Sequence, residues 1–331
     1  MVKFLQLIRY KNLLSIAFIL FSAKYLVFEP YLEYFDKFKF FNLQSLFSHL
    51  DFLLLSLSII CIAAGGYIVN DIKDVDADKI NKPNKNTIHN KNEKKIFKIY
   101  LIFTISGIII SVYLAQKFDM IQLSFPHILS ATLLYMYSHS YKKVLILGNI
   151  IIALLAALVP LTYFLFEAYS MISLNPEVLA KIIAYDNQLS IWNFGPLSFL
   201  KTWCFFLALF AFIYTLSREI IKDIEDKDGD IKINRKTIPI AFRDKVAYLI
   251  GLTLLWIAGI WAIQKTSEFN INTIISKSLS WYFAIALILP TAWMSYDFYR
   301  NKGNAKLYSK IIKYCMLAGI ASSFLFYSFI Q

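Results

Sequence analysis

Two runs of carboxylates in this chain are spaced to do chemistry. In the run Asn70-Asp71-Ile72-Lys73-Asp74-Val75-Asp76-Ala77-Asp78, a continuous helix puts Asp71, Asp74 and Asp78 on one face, with Asn70 one turn before Asp74. In the run from Arg218 to Asp230, Glu219, Asp223, Asp226 and Asp230 again share a helical face, with Gly229 a candidate stop before Asp230. Arg218 and Lys222 fall on the neighbouring stripe. Stacked carboxylates repel one another, so a bare structural helix avoids such a ladder. A divalent cation removes that penalty. Magnesium suits the task, because it binds through a few carboxylates, keeps waters and bridges substrate phosphates. Two such clusters facing each other across a cavity would hold two magnesium ions on one diphosphate. A calcium-loop register fails in the second run, since its first ligand position would be Ile224 and no glutamate closes the loop.

A third feature lies between the ladders: Tyr137-Ser138-His139-Ser140-Tyr141-Lys142-Lys143, followed by Gly148-Asn149. Lys142 and Asn149 are candidates to meet phosphate oxygens at the same face as the ladders. Lys143 reads as a marker of the basic side of a membrane, and His139 as a polar interfacial residue rather than a general base. Cys61, Cys204 and Cys315 each sit in an apolar run with no metal-ligand spacing, and with four histidines the chain offers no zinc site.

The elements that must position these residues are apolar. The chain has 331 residues, 58% of them hydrophobic and 17% charged, and a mean hydropathy of +0.55. A soluble fold of this size needs far more polar surface. Nine apolar stretches stand out, at roughly 11–28, 51–70, 96–116, 121–138, 144–168, 196–217, 246–264, 279–298 and 308–330, each near the ~20 residues that cross a bilayer. The expected fold is an all-α polytopic bundle of nine transmembrane helices around a central cavity, with cap loops after helices 2 and 6. It is read as one domain over 1–331 with pseudo-repeat halves of roughly 51–168 and 196–330, because a ladder follows the second span and again the sixth.

With the N-terminus in the cytoplasm, 26 of the 34 Lys and Arg fall inside and 8 outside. That asymmetry predicts a multi-pass protein of the cytoplasmic membrane, with both ladders inside and the C-terminus outside. It also accounts for the net charge of +12 without a nucleic-acid partner.

These motifs resemble the UbiA superfamily of intramembrane prenyltransferases. Asn70-Asp71-x-x-Asp74-x-x-x-Asp78 matches its first aspartate motif, and Asp78-Lys79-Ile80-Asn81-Lys82-Pro83 its downstream element. Tyr137-Ser138, Lys142 and Gly148-Asn149 match its middle element. The second ladder, Arg218-Glu219-Ile220-Ile221-Lys222-Asp223-Ile224-Glu225-Asp226 with Gly229-Asp230 and Arg235-Lys236-Thr237-Ile238-Pro239, is similar to the digeranylgeranylglyceryl phosphate synthase branch. The resemblance implies an allylic prenyl diphosphate donor and a lipid-like acceptor, a prenylglycerol phosphate whose hydroxyl becomes an ether. It implies Asp71, Asp74, Asp78, Asp223 and Asp226 as catalytic residues, and a magnesium set of these with Asn70, Glu219 and Asp230. Lys142, Arg218, Lys222 and Asn149 would contact the diphosphate, and Lys82, Arg235 and Lys236 the acceptor's phosphate. Two other readings stay open: a superfamily relative acting on an aromatic acceptor, and a divalent-cation transporter with acidic gating loops.

Overall fold

The computed structural model describes residues 2–39, 47–75, 93–174, 196–268 and 273–330. Among the described residues all regular structure is helical: α1 (Val2–Leu7), α2 (Tyr10–Phe21), a π-helical stretch (Ser22–Phe28), α3 (Glu29–Lys39), α4 (His49–Lys73), α5 (Glu93–Lys117), α6 (Phe125–His139), α7 (Leu147–Leu174) and α8 (Pro196–Glu225). The chain continues through α9 (Lys227–Lys232), α10 (Ile238–Phe242), α11 (Asp244–Glu268), α12 (Thr273–Phe283), a second π-helical stretch (Ala284–Ile288), α13 (Leu289–Asn301) and α14 (Ala305–Ile330).

Eight helices among the described residues are long and apolar enough to cross a membrane: Tyr10–Tyr34, His49–Lys73, Glu93–Lys117, Leu147–Ser170, Ser198–Glu225, Asp244–Ser267, Ile274–Asn301 and Ala305–Ser328. The protein is a multi-pass membrane protein. The expected span at 121–138 differs: it is a 3-10 turn, Ile121–Ser124, followed by the 15 residues of α6. Pro126, in the first turn of α6, has no N–H to give to a longer helix. At 1.5 Å per residue α6 is about 22 Å long, and the 3-10 turn that leads into it adds about 8 Å, so the two together are near the bilayer core's thickness of about 30 Å. They return the chain to the end from which α5 left. Lys117, at the end of α5, pairs with Asp51 at the start of α4, whereas Lys142, just after α6, pairs with Asp74 at the far end of α4.

Capping explains several boundaries. Ser48 accepts from the Asp51 N–H and its hydroxyl donates to the Asp51 carboxylate, closing the first turn of α4. Lys302 in the left-handed conformation, then Gly303 at φ 81°, turn the chain from α13 into α14. At the end away from both ladders, Lys24 in the first π stretch is fully buried, with Nζ 2.9 Å from the Phe47 carbonyl, 3.2 Å from Glu29 and 3.4 Å from Glu167. A buried cation in a membrane bundle requires such partners. The interior is an aromatic stack in which Phe199, Trp203, Phe206, Phe210 and Phe326 pack ring on ring. The lipid-facing surface keeps large apolar side chains outward, Ile102, Ile109 and Trp281 among them.

Candidate active site

Helices α2, α4, α6, α7, α8 and α14 enclose a cavity of about 410 Å³. Its mouth is charged: Asp74, Glu219, Asp223, Asp226 and Asp230 line it together with Arg9, Arg218, Lys222, Arg235 and Lys313. Its depth is apolar, walled by Ile59, Ile62, Leu134, Leu155, Val159 and Ile320 among others, with His127 and Thr162 its deepest polar groups. From Asp74 to Ile59 along α4 is fifteen residues, about 22 Å of helix axis.

The first ladder is rearranged relative to expectation. The helix stops at Lys73 and Asp74 is its C-cap residue, φ −98° and ψ 5°, so Asp74 lies at the end of the helix that carries Asn70 and Asp71 rather than within it. Asn70 and Asp74 line the cavity. Asp71 does not: one position further round the helix, it accepts from the Arg9 guanidinium at 2.8 Å, against the packed cluster of Leu7, Ile68 and Val69. Helical geometry gives the reason, since residues 70 and 74 are a turn apart and residue 71 is rotated by about 100°. Asp78 and Lys82 lie outside the described residues.

The second ladder keeps its face. Glu219, Asp223, Asp226 and Asp230 all line the mouth. The helix breaks at Asp226 rather than at Gly229, which lies inside α9, and Asp230 is buried. Arg235 closes this corner. Its guanidinium donates to Asp230 at 2.9 Å and also to Asp74, so one cation bridges the two acidic motifs. The turn after α6 brings Lys142 to the same carboxylate, Nζ to Oδ1 2.5 Å. Gly148 permits this approach, because a Cβ there would stand 3.0 Å from the Lys142 Cα and 3.2 Å from the Tyr137 ring. Asn149 donates to Asp223 at 2.8 Å. Arg218 donates to Glu219 at 2.7 Å, and Lys222 lies 3.6 Å from both Glu219 and Asp226.

A divalent cation is therefore not the ladders' one source of compensation: the chain's own cations pair with Asp74, Glu219, Asp226 and Asp230. Burial alone would raise the Asp74 carboxyl, but Lys142 and Arg235 outweigh it and hold it below its ordinary value. Asp230 goes the other way, raised by its burial despite Arg235. Lys236 is exposed and does not line the cavity; its backbone N–H donates to the Lys143 carbonyl.

Among the described residues no three acidic, histidine or cysteine side chains converge on one point as a ready metal cage. The donor set nevertheless fits a hard cation. Every candidate ligand is an oxygen, and the buried Asn70 Oδ1 at the cavity wall has no hydrogen-bond partner. The Arg9, Asn12, Tyr67 and Lys313 contributions to the mouth were not singled out by motif spacing; they come from the N-cap of α2, from α2 itself, from α4 and from α14, and only the tertiary fold gathers them.

A mouth of paired acids and bases above an apolar well is what comparison with known proteins bears on. Residues 40–325 match the UbiA prenyltransferase family. The chain belongs to this family. A digeranylgeranylglyceryl phosphate synthase of Methanococcus aeolicus (strain ATCC BAA-1280 / DSM 17508 / OCM 812 / Nankai-3) is 33% identical over 204 residues, 61% of this chain and 60% of that protein. One from Methanococcus maripaludis (strain C6 / ATCC BAA-1332) is 30% identical over 258 residues, 76% and 73% of the two chains. The chain thus spans about 60% of the length of the first relatives it matches. A solved structure concerning digeranylgeranylglyceryl phosphate synthase in membranes superposes with a TM-score of 0.59 at 22% identity, covering 97% of this chain and 98% of that one. A UbiA homolog from Archaeoglobus fulgidus bound to DMAPP and Mg2+ gives 0.55 at 15% identity, covering 98% and 99%. At these identities the two structures show a shared fold.

Proposed function

We propose that the protein transfers a prenyl group from an allylic prenyl diphosphate to the hydroxyl of a prenylglycerol phosphate, forming an ether lipid and releasing diphosphate. The observation that carries this reading is the cavity itself, a charged mouth built by both acidic motifs and continuous with an apolar well. The relatives named as digeranylgeranylglyceryl phosphate synthases support it.

The well takes the prenyl tail and keeps water from the allylic carbon. The diphosphate sits at the mouth, where the carbon–oxygen bond to it breaks and negative charge grows on the leaving group. Asn70, Asp74, Glu219, Asp223, Asp226 and Asp230 are the residues that would hold magnesium there, two ions as the paired motifs suggest. Magnesium supplies charge stabilisation to the departing diphosphate. Lys142, Lys222 and Arg235 stand on these carboxylates and are the donors that would meet phosphate oxygens of the diphosphate at the mouth. Asp71 supports from outside, by fixing Arg9 at the rim. The acceptor hydroxyl oxygen then bonds to the allylic carbon and gives up its proton. The cation-transporter reading fits less well, because the cavity's carboxylates all lie at the mouth and none continues into the well.

The test is a purified enzyme assayed with labelled prenyl diphosphates, with and without prenylglycerol phosphate. We expect ether product that vanishes with EDTA and returns with magnesium, and a loss of at least about 100-fold in turnover for Asp226→Asn. Prenylation of 4-hydroxybenzoate or a naphthoate with no reaction on prenylglycerol phosphate would establish the aromatic-acceptor alternative instead.

A further inference from the structure

Most cations at the cavity mouth have an acidic partner. Arg9 holds Asp71, Lys222 lies beside Glu219 and Asp226, and Arg235 spans Asp74 and Asp230. Lys313, nine residues into α14, is different. Its Nζ donates to Asn12 Oδ1 at 2.9 Å, and among the described residues no carboxylate pairs with it. Arg218 and Lys11, both positive, stand near enough to oppose its charge. Arg218 gives one guanidinium nitrogen to Glu219, while its Nε is buried without a partner. Arg218, Lys313 and Asn12 line the same cavity, from α8, α14 and α2 respectively. A half-buried ammonium within a membrane span, set among cations, is costly unless an anion visits it.

We propose that Lys313, with Asn12 and with Arg218, which the motif alone assigned to the diphosphate, forms the subsite for the phosphate monoester of the acceptor, adjoining the carboxylate-lined diphosphate site through the Arg218–Glu219 pair. This rests on the prenylglycerol-phosphate reading above. Arg218 precedes Asp223 by five residues on α8, about 7.5 Å of helix axis, so the two anion sites are neighbours on one helix. It also gives the acceptor a cation that is not already committed. Arg235 stands between Asp74 and Asp230, where it serves the diphosphate, and Lys236 is exposed away from the cavity.

Three anions share this chemistry: the acceptor's phosphate, the donor's diphosphate and a bilayer phospholipid headgroup. Steady-state kinetics in phosphatidylcholine nanodiscs separates them, using prenylglycerol phosphate and its dephosphorylated counterpart as acceptors. Lys313→Met, which keeps the apolar stem and removes the charge, should raise the acceptor KM about 10- to 100-fold, the scale of one charge-assisted hydrogen bond. The donor KM should move little, discrimination against the dephosphorylated acceptor should collapse, and Lys313→Arg should restore most of the effect. Asn12→Ala, which frees the ammonium from its one described partner, provides a second variant if Lys313→Met fails to insert, and should raise the acceptor KM several-fold. An unchanged acceptor KM overturns the subsite. So does an equal rise in the donor KM, or an effect that appears only when anionic phosphatidylglycerol is added to the discs. Wild-type enzyme that ignores prenylglycerol phosphate overturns the functional reading, and the subsite with it; wild-type enzyme that uses it while Lys313→Met is unaltered overturns the subsite alone.

Discussion

At the scale of single residues, Arg235 is the side chain whose part changed most between sequence and structure. Motif position makes it a candidate for the acceptor's phosphate, yet its guanidinium is the counter-ion shared by Asp74 and Asp230. That arrangement sets up competition between a fixed cation and a diffusible one. Arg235→Ala should destabilise the metal-free protein by about 2 kcal/mol, the scale for hydrogen bonds to charged groups. The deficit should shrink as magnesium is added, because metal bound to the folded state replaces the missing charge. Thermal unfolding in detergent, with EDTA and then across a magnesium titration, measures both parts. A deficit independent of magnesium would mean that Arg235 and the metal do not share a site.

At the scale of elements, two glycines separate packing from chemistry. Gly107 lets α5 lie close on α4: a Cβ there would come 2.7 Å from an Ile62 side-chain carbon and 2.8 Å from the Ser58 carbonyl. Gly107→Val should therefore cost about 1–3 kcal/mol of stability by overpacking. Donor and acceptor KM should move only a few-fold in the folded fraction, since Gly107 does not line the cavity and reaches it only through Ile62. Gly148→Val strikes the turn that carries Lys142 and should lower kcat strongly at a modest loss of stability. Measuring thermal unfolding and kinetics on both variants tests the division. If the two lose activity and stability in the same proportion, Lys142 is not positioned through Gly148.

At the scale of the whole molecule, the ends of α4, α6 and α8 meet at one end of the bundle through Asp74, Lys142 and Arg235. The distribution of Lys and Arg favours the cytoplasm for that end. With the buried Cys61, Cys204 and Cys315 replaced, Lys232→Cys should resist an impermeant thiol reagent in intact cells. Ser267→Cys, exposed near the opposite end of α11, should react. The reverse pattern would invert the topology.

The sequence by itself determined the class of molecule and the family. Spans of near-bilayer length need no partner to be recognised, because each satisfies its own backbone and must be apolar where it meets lipid. The second ladder was equally legible, since Glu219, Asp223 and Asp226 sit on one helix whose period is fixed. What failed were inferences that required knowing where a helix stops or what stands opposite it. The first run ends its helix at Lys73 because the chain turns at Asp74, and Asp71 is drawn away by Arg9, 62 positions earlier. The 121–138 stretch reads as one span, but with Pro126 in the first turn of α6 its first four residues form a 3-10 turn instead. Counter-charges were invisible for the same reason. Lys142 lies 68 positions from Asp74, Arg235 lies 161, and Asn12 meets Lys313 across 301. A carboxylate's neighbours in sequence set which face it occupies, whereas its neighbours in space set its charge balance, and only the folded bundle decides those.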